Sequence, residues 1–210
     1  MPRRMEKLTD IIRVFCIYLL QLVYLNLLWF LFTIFGLIVF GIVPATLAVC
    51  KVQQHLLTEK HVPSIWRLFW RSYRSHFVKV NQLAIVLGLI GFVIYFDMQF
   101  FMNQDSLFGY IISVGMYIMS VWFMITLLYI IPTYLRYQLS LFGYMKYAFI
   151  VGMLNPIKTI GFAIALIGVI YVSLAFPQLL FSIGGVSLTF FIVMIIGNRA
   201  IDHIHGLKQT

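Results

Sequence analysis

Four stretches of the chain carry no Asp, Glu, Lys, Arg or His: residues 14–50, 80–96, 106–135 and 159–198, which are 37, 17, 30 and 40 residues long. A helix rises about 1.5 Å per residue and crosses a hydrocarbon core of about 30 Å in roughly 20 residues, so the second and third stretches read as single spans. As straight helices the outer two would measure about 55 and 60 Å, nearly twice the core. Both contain breakers near the middle: Gly36, Gly41 and Pro44 in the first, Pro177, Gly184 and Gly185 in the last. Each therefore reads as a hairpin, with its turn at the membrane surface or buried against other helices, because lipid offers the backbone no partner. Composition agrees. The 210 residues are 62% apolar and 10% charged with a mean hydropathy of +0.99, whereas a soluble domain carries about 25% charge.

The basic residues add an orientation. The fifteen Lys and Arg fall into four groups: Arg3, Arg4, Lys7 and Arg13; Lys51, Lys60, Arg67, Arg71, Arg74 and Lys79; Arg136, Lys146 and Lys158; Arg199 and Lys208. Between Lys79 and Arg136 the only charges are Asp97 and Asp105. Cytoplasmic loops are enriched in Lys and Arg. Three out-and-back excursions would put every basic residue on the cytoplasmic side, with both termini, and the acidic turn outside. A single crossing of the first run would strand basic residues outside. The second leg of that first hairpin, 42–50, is short for a full crossing, which leaves a re-entrant form open. The basic start is not a signal peptide, whose apolar core is only about 7–15 residues, and Val49 is too bulky for a lipoprotein cleavage box. Cys16 and Cys50 lie in apolar runs and read as small packing residues without metal-ligand spacing.

The segment 63–79 has a helical period after Pro63. Trp66, Phe69, Trp70, Tyr73 and Phe77 share one face, and Arg67, Arg71 and Arg74 another. This pattern predicts an interfacial helix with its aromatics at the acyl boundary and its arginines at anionic headgroups. Aromatics mixed with basic residues also occur in RNA-binding proteins, but a chain this apolar favours lipid over nucleic acid. The expected fold is all-α: a polytopic transmembrane bundle of five to six membrane segments, in one domain. It consists of a first hairpin over 14–50, the interfacial helix over 63–79, a second hairpin over 80–135 and a third over 159–198.

Three segments carry a family resemblance: Leu25-Asn26-Leu27-Leu28-Trp29-Phe30-Leu31-Phe32, then Gly41-Ile42-Val43-Pro44-Ala45-Thr46-Leu47-Ala48, then Phe69-Trp70-Arg71-Ser72-Tyr73-Arg74-Ser75-His76-Phe77 with Asn81. In order and spacing the chain resembles the YesL family of small bacterial membrane proteins, which carry the domain of unknown function DUF624. The likeness runs over nearly the whole chain, 9–199. It places Asn26 and Trp29 in the family's Asn-Leu-Leu-Trp segment and Pro44 in a Pro-Ala-Thr turn, and puts Asn81 after a basic aromatic helix. His76 departs from the Asn or charged residue common there. The resemblance implies a bacterial cell-membrane location and a setting beside binding-protein-dependent sugar importers and polysaccharide-degrading enzymes, with no assigned activity.

Within the runs nothing is ionisable, although membrane transporters and enzymes usually keep such groups for function. Asn26 reads as an interhelical hydrogen-bonding residue. The histidines are scattered, and His203-x-His205 with Asp202 lacks a third ligand. A faint repeat relates the segment around Pro44 to that around Pro132, in the manner of transporter duplications. No catalytic, cofactor-binding or metal site is expected. The reading favoured is a non-catalytic accessory or regulatory partner of a carbohydrate uptake system that contacts anionic lipid and importer permease subunits. The alternative is a small-solute or oligosaccharide transporter or channel, and a membrane enzyme comes last.

Overall fold

The computed structural model describes residues 2–58, 64–102, 106–175 and 185–207. Among these residues there are seven helices and no strand: α1 (Pro2–Phe35), α2 (Val39–Thr58), α3 (Ile65–Met102), α4 (Leu107–Arg136), α5 (Leu141–Leu154), α6 (Pro156–Ala175) and α7 (Gly185–Leu207). Pro63, Asp105, Pro177 and Gly184, which the sequence places at a helix start and at turns, lie outside the described residues. Three segments are long and apolar enough to cross a membrane: Cys16–Phe35, Ile65–Met102 and Leu107–Arg136. A bent pair, Leu141–Leu154 with Pro156–Val172 at 103°, would make a fourth. The protein is thus an all-helical, multi-pass membrane protein. Five or six crossings would need α2 and α7 as well, and the second half of α2 carries Lys51, Gln53, Gln54 and His55.

The first long run is a hairpin, but its turn lies at 36–38 and not at Pro44. Leu37 and Ile38 hold φ of 59° and 62°, in the left-handed region that side chains rarely occupy. The turn is closed by Ile38 N donating to Thr33 O at 2.9 Å and Gly36 N to Phe32 O at 3.1 Å. Gly36 and Gly41 allow the two legs to touch, since a Cβ on Gly36 would run into the Gly41 backbone and the Tyr73 hydroxyl. The returning leg is the whole of α2, 20 residues or about 30 Å, and not the nine residues after Gly41.

The expected boundary between an interfacial helix ending at Lys79 and a span beginning at Val80 does not exist. No Gly or Pro interrupts the chain from Ile65 to Leu87, so α3 runs unbroken for 38 residues, about 57 Å. It pairs antiparallel with α4, His76 meeting Tyr134 near one end and Gly91 facing Phe123 further along. Ser106 caps α4 by accepting from Gly109 N at 3.0 Å, and α4 ends at Arg136, where the charge-free run ends.

The sequence hid α5, because Lys146 made 136–158 read as a basic loop. Its ring contacts run back down α4: Tyr144 with Tyr134, centroids 4.8 Å apart, then Phe149 with Trp122 at 5.8 Å. Gly152 lies against Ile125 and Tyr129. The last run therefore begins not at Thr159 but at the Asn155–Pro156 break. One core cluster joins α2, α3, α4, α5, α6 and α7 around Tyr129, Tyr144 and Phe162, and a second joins α1, α2 and α3 around Leu25, Phe32 and Phe69.

Helix α7 rests on α4 at Gly197, where a Cβ would strike the Pro132 ring, whereas Gly161 on α6 faces open space. Gly197→Val should destabilise the protein by about 1–3 kcal/mol through overpacking, and Gly161→Ala should leave stability unchanged or slightly raised. Unfolding curves of the two variants in detergent check this; equal midpoints would contradict the packing.

Candidate functional site

The three segments that carry the family resemblance converge where α1, α2 and α3 meet. Pro44 lies inside α2, one turn from its start, and has no N–H for the carbonyl of Phe40. Asn81, 41 residues away on α3, supplies the missing donor: its Nδ2 lies 3.0 Å from Phe40 O. Trp29 Nε1 donates to Thr46 Oγ1 at 3.0 Å and ties α1 to α2. Tyr73 Oη donates to Phe32 O at 3.2 Å and ties α3 to α1. Asn26 of α1 is buried.

Phe32 is the hub that sequence reasoning missed. Its ring lies 5.5, 5.1, 5.4 and 5.0 Å from those of Trp66, Phe69, Trp70 and Tyr73. The aromatic face of 63–79 is real, but it closes on α1. Phe69 and Tyr73 are buried inside the protein, while Trp66 and Trp70 keep 44% of their surface exposed and Phe77 is half-buried against Tyr73. Arg67, Arg71 and Arg74 are exposed. A hint of this closure lay in the sequence: Trp29 and Phe32 stand three apart on α1, one helical face.

A second node sits at the bend between α5 and α6. Pro156 deprives Gly152 O of its helical donor; Thr159 Oγ1 lies 2.9 Å from it and equally near Asn155 O, and Asn155 N also reaches Gly152 O at 3.4 Å. Asn155 Nδ2 donates to Val151 O at 3.1 Å and reaches Ala200 O on α7 at 3.4 Å. Tyr129 Oη completes the group 3.0 Å from Thr159 Oγ1. Asn155 and Thr159 are both buried, so the bend is sealed by protein.

At one end of the bundle Lys51 of α2, His76 and Lys79 of α3 and Arg136 of α4 line a cavity of about 420 Å³, together with Tyr134, Tyr137 and Tyr144. His76 Nδ1 lies 3.2 Å from Tyr134 Oη, and Lys79 Nζ sits 5.3 Å above the Tyr144 ring. Tyr144 Oη donates to Tyr137 O at 3.1 Å, and Tyr147 Oη to Tyr137 Oη at 2.9 Å. In the connection between α4 and α5, burial first and then the contact with Tyr147 push the Tyr137 phenol well above its ordinary pKa, so it stays protonated. Arg136 is paired with Asp202 of α7, which gives that aspartate a partner other than the histidines beyond it. Cys50 is buried and Cys16 exposed, and both thiols are free.

A family model described as "Protein of unknown function, DUF624" matches residues 22–98, a stretch that starts in α1, ends in α3 and encloses the node around Phe32 and Asn81. Similar proteins from Bacillus subtilis (strain 168) include YesV, 30% identical over 152 residues, 72% of this chain and 73% of that protein. YteU is 31% identical over 139 residues, 66% of this chain and 62% of its own length. YesL is 25% identical over 158 residues, 74% of this chain and 73% of that protein. Each of the three is named an uncharacterized protein. No solved structure matches the chain.

The pairing of Asn81 with the carbonyl that Pro44 leaves free can be tested by a double-mutant cycle. Asn81→Leu should cost about 1–3 kcal/mol by stranding a buried acceptor. In a Pro44→Ala background, where residue 44 regains its N–H, the same change should cost less than half as much. Equal costs in the two backgrounds, read from unfolding in detergent, would show that the amide does not serve the proline.

Proposed function

This chain belongs to the DUF624 family, and from that premise we propose that it is a non-catalytic membrane partner, accessory to or regulating a carbohydrate uptake system. The observation that carries the reading is how the family's signature uses its polar groups. Trp29, Tyr73 and Asn81 each spend their donor on holding α1, α2 and α3 together. What the protein turns outward is apolar surface along α3 and α4, including Leu89, Phe92, Phe96, Tyr110 and Tyr117, and a basic end. Within lipid, helices associate through van der Waals packing of such faces. The resemblance to the YesL family supplies the link to sugar importers, and permease subunits are the helical partners such a face would meet.

In this reading the end of the bundle that gathers Lys51, Lys79 and Arg136 faces the cytoplasm of a bacterial cell, following the positive-inside rule. Arg67, Arg71 and Arg74, exposed beside the half-open Trp66 and Trp70, meet headgroups there. A second reading, a small-solute transporter, is favoured by the 103° bend between α5 and α6. Discontinuous helices with buried polar groups at the break line the substrate sites of many transporters.

Two experiments test these proposals. A photo-crosslinking residue at Phe92 or Phe96, in cells growing on an inducing polysaccharide, should give an adduct with an importer permease subunit; its absence there and in affinity capture from detergent removes the importer link. Oligosaccharide flux into liposomes holding the purified protein alone would establish the transporter reading instead. For orientation, a single cysteine replacing Asn103 should be labelled from outside intact cells and one replacing Ser75 should not. External labelling at Ser75 would invert the assignment.

A further inference from the structure

The basic cavity adjoins an apolar one. Tyr134 lines both, and beyond it a second cavity of about 320 Å³ lies between α2, α3 and α4, walled by Val43, Leu47, Leu83, Ala84 and Leu127 among others. Lys79 lines the basic chamber and its neighbour Val80 the apolar one. The basic chamber gathers Lys51, Lys79 and Arg136 from three different helices, beside His76, and no acidic residue lines it. Asp202 answers Arg136 alone, and among the described residues no carboxylate pairs with Lys51 or Lys79. Like charges held together in a partly desolvated site repel one another unless an anion sits between them. Both chambers fall in or near the range of small-ligand sites, about 300–1,000 Å³.

We propose that the two chambers form one binding site for an anionic phospholipid, its phosphate held by Lys51, His76, Lys79 and Arg136 and an acyl chain lying in the groove at Val43, Leu47, Ala84 and Leu127. Charge complementarity fixes the head: a phosphate monoester or diester offers several acceptor oxygens to ammonium, imidazole and guanidinium donors. The adjoining apolar chamber selects the lipid over a free phosphate. Tyr134 fits the boundary between the two chambers, where an amphipathic ring has one wet and one dry side. The Tyr144 ring also steadies Lys79 through a cation–π contact at the chamber wall. This site is separate from the exposed arginines of α3, which meet bulk headgroups without a cavity, and it does not depend on the identity of any protein partner.

Native mass spectrometry of the full chain, delipidated in neutral detergent and supplied with phosphatidylglycerol or phosphatidylcholine, tests the site. The wild type should retain one phosphatidylglycerol in clear preference to phosphatidylcholine. The double variant Lys51→Gln with Lys79→Gln should weaken that adduct roughly tenfold or more, while Arg67→Gln with Arg71→Gln should leave it in place. The double variant Lys51→Arg with Lys79→Arg should keep it, which separates lost charge from lost fold. Ala84→Trp, filling the groove, should weaken the lipid adduct as well. Equal retention of the two lipids, or equal loss in the Arg67 and Arg71 control, would overturn the site. Competition by water-soluble glycerol phosphate as effective as that by the lipid would overturn the lipid assignment in favour of a soluble phosphate.

Discussion

Inside a bilayer no water is at hand to satisfy a backbone carbonyl, and two of the polar side chains buried in the bundle, Asn81 and Thr159, answer that constraint directly. Among the described residues Pro44, Pro132 and Pro156 each withhold a helical donor, and for Pro44 and Pro156 the carbonyl four residues earlier is met by a side chain. Phe40 O, freed by Pro44, receives the amide of Asn81. Gly152 O, freed by Pro156, receives the hydroxyl of Thr159. The two repairs differ in consequence. Asn81 comes from another helix, so repairing α2 also docks α3 against it. Thr159 lies only seven residues on, so the repair stabilises a bend between α5 and α6, and Asn155 then carries that bend to α7.

The signature was legible as residues and not as geometry. Periodicity placed Trp66, Phe69, Trp70, Tyr73 and Phe77 on one face correctly, but an aromatic stripe is equally suited to acyl chains and to a partner helix. Only the position of Phe32 decides between them, and that position depends on a turn that propensity disfavours. Leu37 and Ile38 sit in the left-handed region where Gly is the usual occupant, so by residue type the breakers are Gly36, Gly41 and Pro44. Gly36 does open the turn and with Gly41 also forms the contact that lets the legs close, whereas Pro44 is a helix-interior residue with a dedicated partner.

The charge pattern was legible in a different way. Counting Lys and Arg along the chain implies one basic side of a membrane; in the structure Lys51, Lys79 and Arg136 line one chamber. Their convergence on a single chamber could not be read, because it depends on α2 crossing α3 beside the end of α4. The same count concealed α5. Lys146 interrupts an otherwise apolar stretch, and only the ring contacts with Trp122, Tyr134 and Tyr137 show that the segment packs as a helix on α4.

The reach of the first hairpin sets how much of α3 and α4 stands clear of α1 and α2. Its turn meets α3 beside Tyr73 and Asn81, which leaves the stretch 82–102 running on for about 30 Å, a full core thickness. Along that distal part, of α3's side chains only Leu83, Leu87 and Ile94 are buried, and of α4 only Gly109 and Ser113 are buried before Thr126. The distal halves of α3 and α4 therefore stand as a two-helix projection, apolar on nearly every side. Such a pair would be untenable in water and is well solvated by lipid. Because the signature around Phe32 and Asn81 makes its contacts elsewhere, side chains on this projection can vary without disturbing what holds α1, α2 and α3 together.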